Sequence, residues 1–235
     1  MAGADATITP TLTGDLVDAR LQNDVDRSAR FTFGSPRIEY GWGDIRGHGG
    51  GSLGELEVAG VPVKVHGPEV GFNRQLGGGI AIVKYADNYH ALEAGRSAWV
   101  KPGTRWTQWQ AFVDRQLAAL DRPYVIAGFI WLQGIDDGIL GRDKAAYKAD
   151  LLQIAADLRA KFGPAPFILG RSINSDIAGQ ASMAPIREAQ VEVGALPGNA
   201  WVNLDDLGPY VAVHHLTSAG QLQSGKRFAE AFTKR

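Results

Sequence analysis

Tyr124-Val125-Ile126-Ala127-Gly128-Phe129-Ile130-Trp131, running straight into Leu132-Gln133-Gly134-Ile135-Asp136-Asp137, is the stretch whose reading decides the fold. Its first eight residues are an apolar, strand-like run, and similar runs occur at Val61 to Val65, Ile80 to Tyr85, Phe167 to Gly170 and Ala200 to Leu204. Between them the apolar period changes to that of a helix. Trp106, Trp109, Phe112, Val113, Leu117 and Leu120 recur at helical spacing, as do Tyr147, Leu151, Ile154 and Leu158. Strands alternating with helices predict a mainly parallel sheet with helices on both faces, a three-layer α/β/α sandwich. A terminal helix is expected after His215, with Ser218 and Gln221 in the spacing of a capping box and Leu222, Phe228 and Phe232 on its inner side. Residues 34 to 60 carry many glycines and no sustained period, so they read as a long loop.

At 235 residues one large domain spanning 1–235 is the expectation. The 24 basic and 25 acidic side chains leave a net charge of -1, which argues against nucleic acid or an anionic membrane as partner. The absence of cysteine removes thiolate catalysis, disulfides and cysteine-ligated metals, and it leaves the redox compartment undetermined. Nowhere do about 18 consecutive apolar residues occur, and the N-terminus lacks a basic region followed by an apolar run. A soluble chain is therefore expected, with secretion after removal of a signal left open.

The segment Trp131-Leu132-Gln133-Gly134-Ile135-Asp136-Asp137, taken with His215-Leu216-Thr217, resembles the carbohydrate-esterase and sialate O-acetylesterase branch of the SGNH hydrolases. There the first segment usually reads Trp-x-Gln-Gly-Glu-Ser-Asp and the second Asp-x-x-His-Leu-Thr. Gly67-Pro68-Glu69-Val70-Gly71-Phe72 looks like the family's Gly-Pro-Glu helix start, and Ile80 to Ala86 like its next strand. The resemblance implies an SGNH-type, flavodoxin-like sandwich with its crevice at the carboxyl ends of the strands. It also implies removal of acetyl groups from a carbohydrate by serine attack assisted by histidine, with no cofactor.

The departures from the family pattern concentrate on the chemistry. Ile135 stands where Glu is expected, Asp136 where Ser is usual, and Ala212 where the resemblance calls for Asp. The nucleophile segment Gly-Gln-Ser-Asn has its best counterpart in Thr13-Gly14-Asp15-Leu16-Val17, which places Leu16 at the serine position. Leucine has no nucleophilic atom. The family's Gly-Gly-Thr-Ser-Leu loop is replaced by Asp87-Asn88-Tyr89-His90-Ala91-Leu92, whose Asn88 and His90 are candidate pocket residues. His215 remains a candidate general base, though Ala212 cannot orient it. Gln133 is a candidate oxyanion donor, joined by backbone N–H groups near Gly14. Asp136, a carboxylate beside apolar groups, is a candidate base. Gly14, Asp15, Leu16, Ile135 and Asp137 complete the expected substrate crevice.

Other motifs have plainer explanations. Gly50-Gly51-Ser52-Leu53-Gly54 matches the Gly-x-Ser-x-Gly elbow literally but lacks the strand before and helix after that the elbow requires, so a glycine loop is the better reading. Ser52 stays as a substitute nucleophile. The histidines His48, His66, His90, His214 and His215 show no i, i+4 pair and no His-Glu-x-x-His, so no metal site is expected. Gly225-Lys226 lacks the glycine spacing of a phosphate loop. Trp106 and Trp109 fit core packing better than sugar binding. Two functions stay open: an esterase-like hydrolase, or a catalytically altered or redesigned scaffold that binds a small molecule or carbohydrate in the same crevice, with base catalysis from Asp136 or His215 as its variant.

Overall fold

The computed structural model describes residues 30–34, 43–44, 54–58, 61–65, 67–86, 91–92, 99–120, 122–173, 180–208, 210–211 and 215–234. Two blocks of parallel strands form its middle layer. In one, β1 (Arg30–Gly34) lies parallel to β5 (Ala81–Tyr85), with Arg30 opposite Ala81, and carries the short antiparallel β2 (Gly43–Asp44) on its other edge. In the other, β6 (Phe129–Trp131), β7 (Phe167–Gly170) and β8 (Asn199–Val202) run parallel in that order. Two antiparallel pairs accompany them: β3 (Gly54–Val58) with β4 (Val61–Val65), and β9 (Tyr210–Val211) with β10 (His215–Leu216).

Side chains alternate across a strand, and this alternation builds the three layers. Phe167 and Leu169 join a core with Phe112 and Val113 of α2 (Thr104–Ala118), Leu151 and Ile154 of α4 (Lys144–Phe162), and Ile186 and Val193 of α5 (Gln180–Gly194). Ile168, between them, joins Phe72 of α1 (Glu69–Leu76) and Phe228 of α6 (Ser218–Thr233) on the opposite face. All three β7 side chains are 0 % exposed, so each contributes roughly 1.5–3 kcal/mol of burial. The remaining helix, α3 (Ile135–Ile139), is a single short turn after β6.

The expected helical stripes are buried as read: Trp106, Phe112, Val113 and Leu117 in α2, and Tyr147, Leu151, Ile154 and Leu158 in α4. Asp143 caps α4 by accepting from the N–H groups of Ala145 and Ala146. The glycine of Gly225-Lys226 has a packing role. A side chain at Gly225 would collide with the Pro68 carbonyl, and one at Gly71 with the Leu222 carbonyl, so these two glycines let α1 and α6 approach at backbone contact.

Four local expectations need correction. The strand read over Tyr124 to Trp131 pairs only from Phe129; Tyr124 and Val125 are 49 % and 86 % exposed and border an apolar cavity of about 650 Å³ between β5 and β6. Among the described residues β6 pairs only with β7, so the stretch before it has no second ladder to join. Part of the 34 to 60 segment is strand, because Leu56 finds Val63 across the β3–β4 hairpin. The cap of α6 is Thr217, whose hydroxyl accepts from the Gly220 N–H, in place of Ser218. The last core strand spans Asn199–Val202, two residues short of Leu204. In addition, α5 carries Pro185 within it, which interrupts the signal by which a helix is recognised.

Candidate functional site

Chain direction brings the carboxyl ends of β6, β7 and β8 together, and the residues that follow them form the corner Leu132–Asp137, the segment from Arg171 and the segment from Asn203. The corner after β6 turns on Gly134, whose φ of 147° is open only to glycine. Space enforces the same choice. A Cβ at Gly134 would stand 2.6 Å from Ser172 Oγ, 2.7 Å from Gln190 Nε2 and 2.9 Å from Ile186 Cγ2.

Three side chains converge on the carbonyl oxygen of Gln133. Gln190 Nε2 donates to it at 2.7 Å, the Tyr147 hydroxyl at 3.0 Å and Ser172 Oγ at 3.1 Å. Gln190 also accepts from the Ser172 N–H at 2.8 Å, so α4, α5 and the end of β7 are tied to one atom of the corner. Burial, reinforced by the Asp137 charge, holds the Tyr147 phenol well above its ordinary pKa, so it stays protonated and donates. Ser172 is buried and committed as a donor, which makes it part of the scaffold.

The paired carboxylates of the corner differ sharply. Asp136 is half-buried in the first turn of α3, whereas Asp137 is 0 % exposed. Asp137 receives the Gln133 side-chain N–H at 2.5 Å, Arg142 Nη1 at 2.9 Å, and the backbone N–H of Leu92 on both oxygens, at 3.2 and 3.1 Å. Arg142 in turn pairs with Asp150 of α4. Burial pushes the Asp137 carboxyl above the ordinary carboxylate range, outweighing the lowering effects of Gln133, Arg142 and Leu92. Asp137, expected from the sequence in the substrate crevice, is enclosed and holds the Leu92 backbone, Gln133 and Arg142.

Gln133 is 3 % exposed, and its side chain bridges Asp137 and the Tyr147 hydroxyl, the latter at 3.2 Å. Ile135 is half-buried and packs against the core of α2, α4 and α5. Gly14, Asp15, Leu16, Asn88, His90 and Ala212 lie outside the described residues, as do Ser52 and the histidines at 48, 66 and 214. His215 is described as backbone in β10, two residues before the Thr217 cap. Of the expected set the structure describes side chains in the continuous stretch Gln133, Ile135, Asp136 and Asp137. It adds Tyr147, Ser172, Gln190 and Arg142, which sequence reading missed. Tyr147 was legible only as an apolar stripe residue; its hydroxyl, on a buried face, was the available signal that it needs a partner.

The 650 Å³ cavity is lined as far as Trp131, just before this corner, and chiefly by apolar residues, among them Trp99, Trp106 and Trp109. Trp106 and Trp109 pack on each other with ring centroids 4.9 Å apart. Among the described residues no group of three metal-ligating side chains occurs, and no helix is long and apolar enough to cross a membrane.

Comparison with known proteins bears on the same architecture. Among solved structures, a protein from Arabidopsis thaliana superposes with a TM-score of 0.63 at 19 % identity, covering 87 % of this chain and 81 % of that one. A carbohydrate acetylesterase from Xanthomonas citri gives 0.61 at 18 %, covering 93 % of this chain and 51 % of that one. NanS gives 0.58 at 14 %, covering 74 % and 72 %. At such identities the likeness is one of fold, an α/β sandwich with a parallel sheet. Among curated proteins none matches the sequence. The family model described as carbohydrate esterase, sialic acid-specific acetylesterase, matches residues 59–234, three quarters of the sequence, and the chain belongs to that family.

Proposed function

We propose that this protein binds an acetylated carbohydrate in the crevice at the carboxyl ends of β6, β7 and β8, and that its serine-esterase turnover is weak or lost. The observation that carries the reading is the state of the Gln133–Asp137 corner. Gln133 and Asp137 are locked by buried hydrogen bonds and Gly134 is closely surrounded by Ser172, Gln190 and Ile186, while Ile135, at the position where the resemblance expects a carboxylate, is half-buried and packs against the core. A corner kept rigid by this many satisfied polar groups supports retained binding. An apolar side chain at 135, with Leu16 and Ala212 at the other two positions, supports loss of the acyl-transfer step, since nucleophile, base and orienting carboxylate act as a unit.

The test is calorimetric titration with an O-acetylated monosaccharide, run beside a release assay for acetate. Saturable binding without acetate release at a rate above the uncatalysed reaction is the expected result. Rapid release would overturn the proposed loss of catalysis, and no binding at millimolar probe would overturn the crevice.

A further inference from the structure

The two blocks of parallel strands share one layer but do not meet. Val83 and Tyr85 of β5 join the same core as Phe129 and Trp131 of β6, beneath α2 and α4. Ile82 and Ile130 join the opposite core, against α1 and α6. Yet among the described residues β5 pairs only with β1, and β6 only with β7. The cavity of about 650 Å³ lies between these two edges, and helices line it on both faces, with Val113 and Leu158 on one and Phe72 and Phe232 on the other. Exposure marks the same gap. Every residue of β7, which has a strand on each side, is buried, whereas Ile82, Val83, Ile126 and Ile130 are half-buried and Ala81, Val125 and Ala127 are exposed. Near-continuous apolar runs such as 80–85 and 124–131 belong to strands buried on both faces.

Hydrogen bonding decides what kind of molecule suits this space. An apolar small molecule would bury the gap-facing backbone N–H and carbonyl groups of residues 81–83 and 126–128 without partners, at about 1–3 kcal/mol for each group. A strand pairs with them on both sides and sets its side chains against the two helical layers. A strand residue packed on both faces takes roughly 160 Å³, from a strand spacing of about 4.8 Å, a layer spacing of about 10 Å and a rise of about 3.3 Å. The cavity therefore holds about four such residues. Outside the described residues the longest run of β-branched residues is Thr7-Ile8-Thr9, which stops at Pro10, a residue without an N–H. We propose that the gap between β5 and β6 is a peptide-binding slot, which takes an extended, β-branched segment of about four residues from a partner protein as a strand between the two edges. The slot stands apart from the carbohydrate reading, because it is built by the sides of the strands and the crevice by their carboxyl ends.

The experiment is amide hydrogen exchange by NMR on the full chain, with and without the synthetic peptide acetyl-Lys-Val-Ile-Val-Val-Lys-amide. Protection in the stretch 126–128 is expected to rise about tenfold or more at saturating peptide, the factor for gaining a backbone hydrogen bond, with the amides of β7 unchanged. The same peptide N-methylated at its two central residues keeps the apolar surface and loses the donors, so it is expected to leave 126–128 exchanging fast. Equal protection by both peptides overturns the strand, since it shows apolar binding only. No rise at millimolar peptide overturns the slot. Protection of 126–128 in the chain without peptide also overturns the proposal: if it is independent of protein concentration a segment of this chain fills the gap, and if it grows with concentration a second copy does.

Discussion

Leu92 and Asp137 meet through the Leu92 backbone N–H, which donates to both carboxylate oxygens at 3.1 and 3.2 Å. Nothing local to either residue specifies the contact. It exists because β6 ends where it does and because Gln133 and Arg142 hold the carboxylate in place. The corner of this protein is therefore a junction of three segments, and the predictions follow from how each is fastened.

Gly134→Ala is expected to cost about 3 kcal/mol or more. Backbone strain at a φ reserved for glycine costs about 1–3 kcal/mol, and forcing a methyl against Ser172, Gln190 and Ile186 adds an overpacking penalty of similar size. Urea denaturation measures it. A loss below about 1 kcal/mol would mean that the corner can relax.

Gln190→Leu keeps the volume of the side chain but removes both ends of its bridge. The Ser172 N–H is left buried without its acceptor, a loss of about 1–3 kcal/mol. Ser172→Ala, which removes one of three donors to the Gln133 carbonyl, is expected to cost about 1 kcal/mol or less. The double variant should fall short of the sum of the two, since both changes act on one network. Strict additivity in the denaturation midpoints would show that Gln190 and Ser172 are energetically independent.

Asp206 supplies a pH dependence of opposite sign to Asp137. Arg227 grips both its oxygens, at 2.6 and 2.7 Å, and lowers its pKa from the ordinary 3.8 to about 2. A depressed folded-state pKa contributes stability above the unfolded value and loses it as the pH falls through the folded one. Asp206→Asn should accordingly narrow the difference in thermal midpoint between pH 5 and pH 2. The pair is exposed, so added salt should shrink the effect. An unchanged acid response at low salt would count against the pairing.

The combined change Leu16→Ser, Ile135→Glu and Ala212→Asp is expected to create measurable release of acetate from an O-acetylated sugar, while each single change does little. Ile135→Glu alone places a carboxylate against a packed core and should destabilise the fold. A full rate from any one change would show that the remaining machinery is already complete. Wild-type turnover abolished by Ser52→Ala would instead identify the glycine-loop serine as nucleophile.

The α/β class, the stripes of α2 and α4 and the position of the corner were legible in the sequence because each is a local pattern: a period of two or 3.6, or a glycine among polar residues after an apolar run. Ile135 was legible as an anomaly for the same reason. What only the tertiary structure decided is where polar side chains go. Asp136 and Asp137 are neighbours with the same chemistry, yet one is half-buried and the other fully enclosed among donors, because α3 turns them to different sides. Tyr147 reads as another apolar residue of a helical stripe until Gln133 and Gln190 are seen around its hydroxyl. The stretch from Tyr124 reads as strand until the ladder is found to begin at Phe129. A hydrogen bond between distant segments depends on distances that no local period encodes, so partners such as Leu92 and Asp137 become visible only when the chain has folded back on itself.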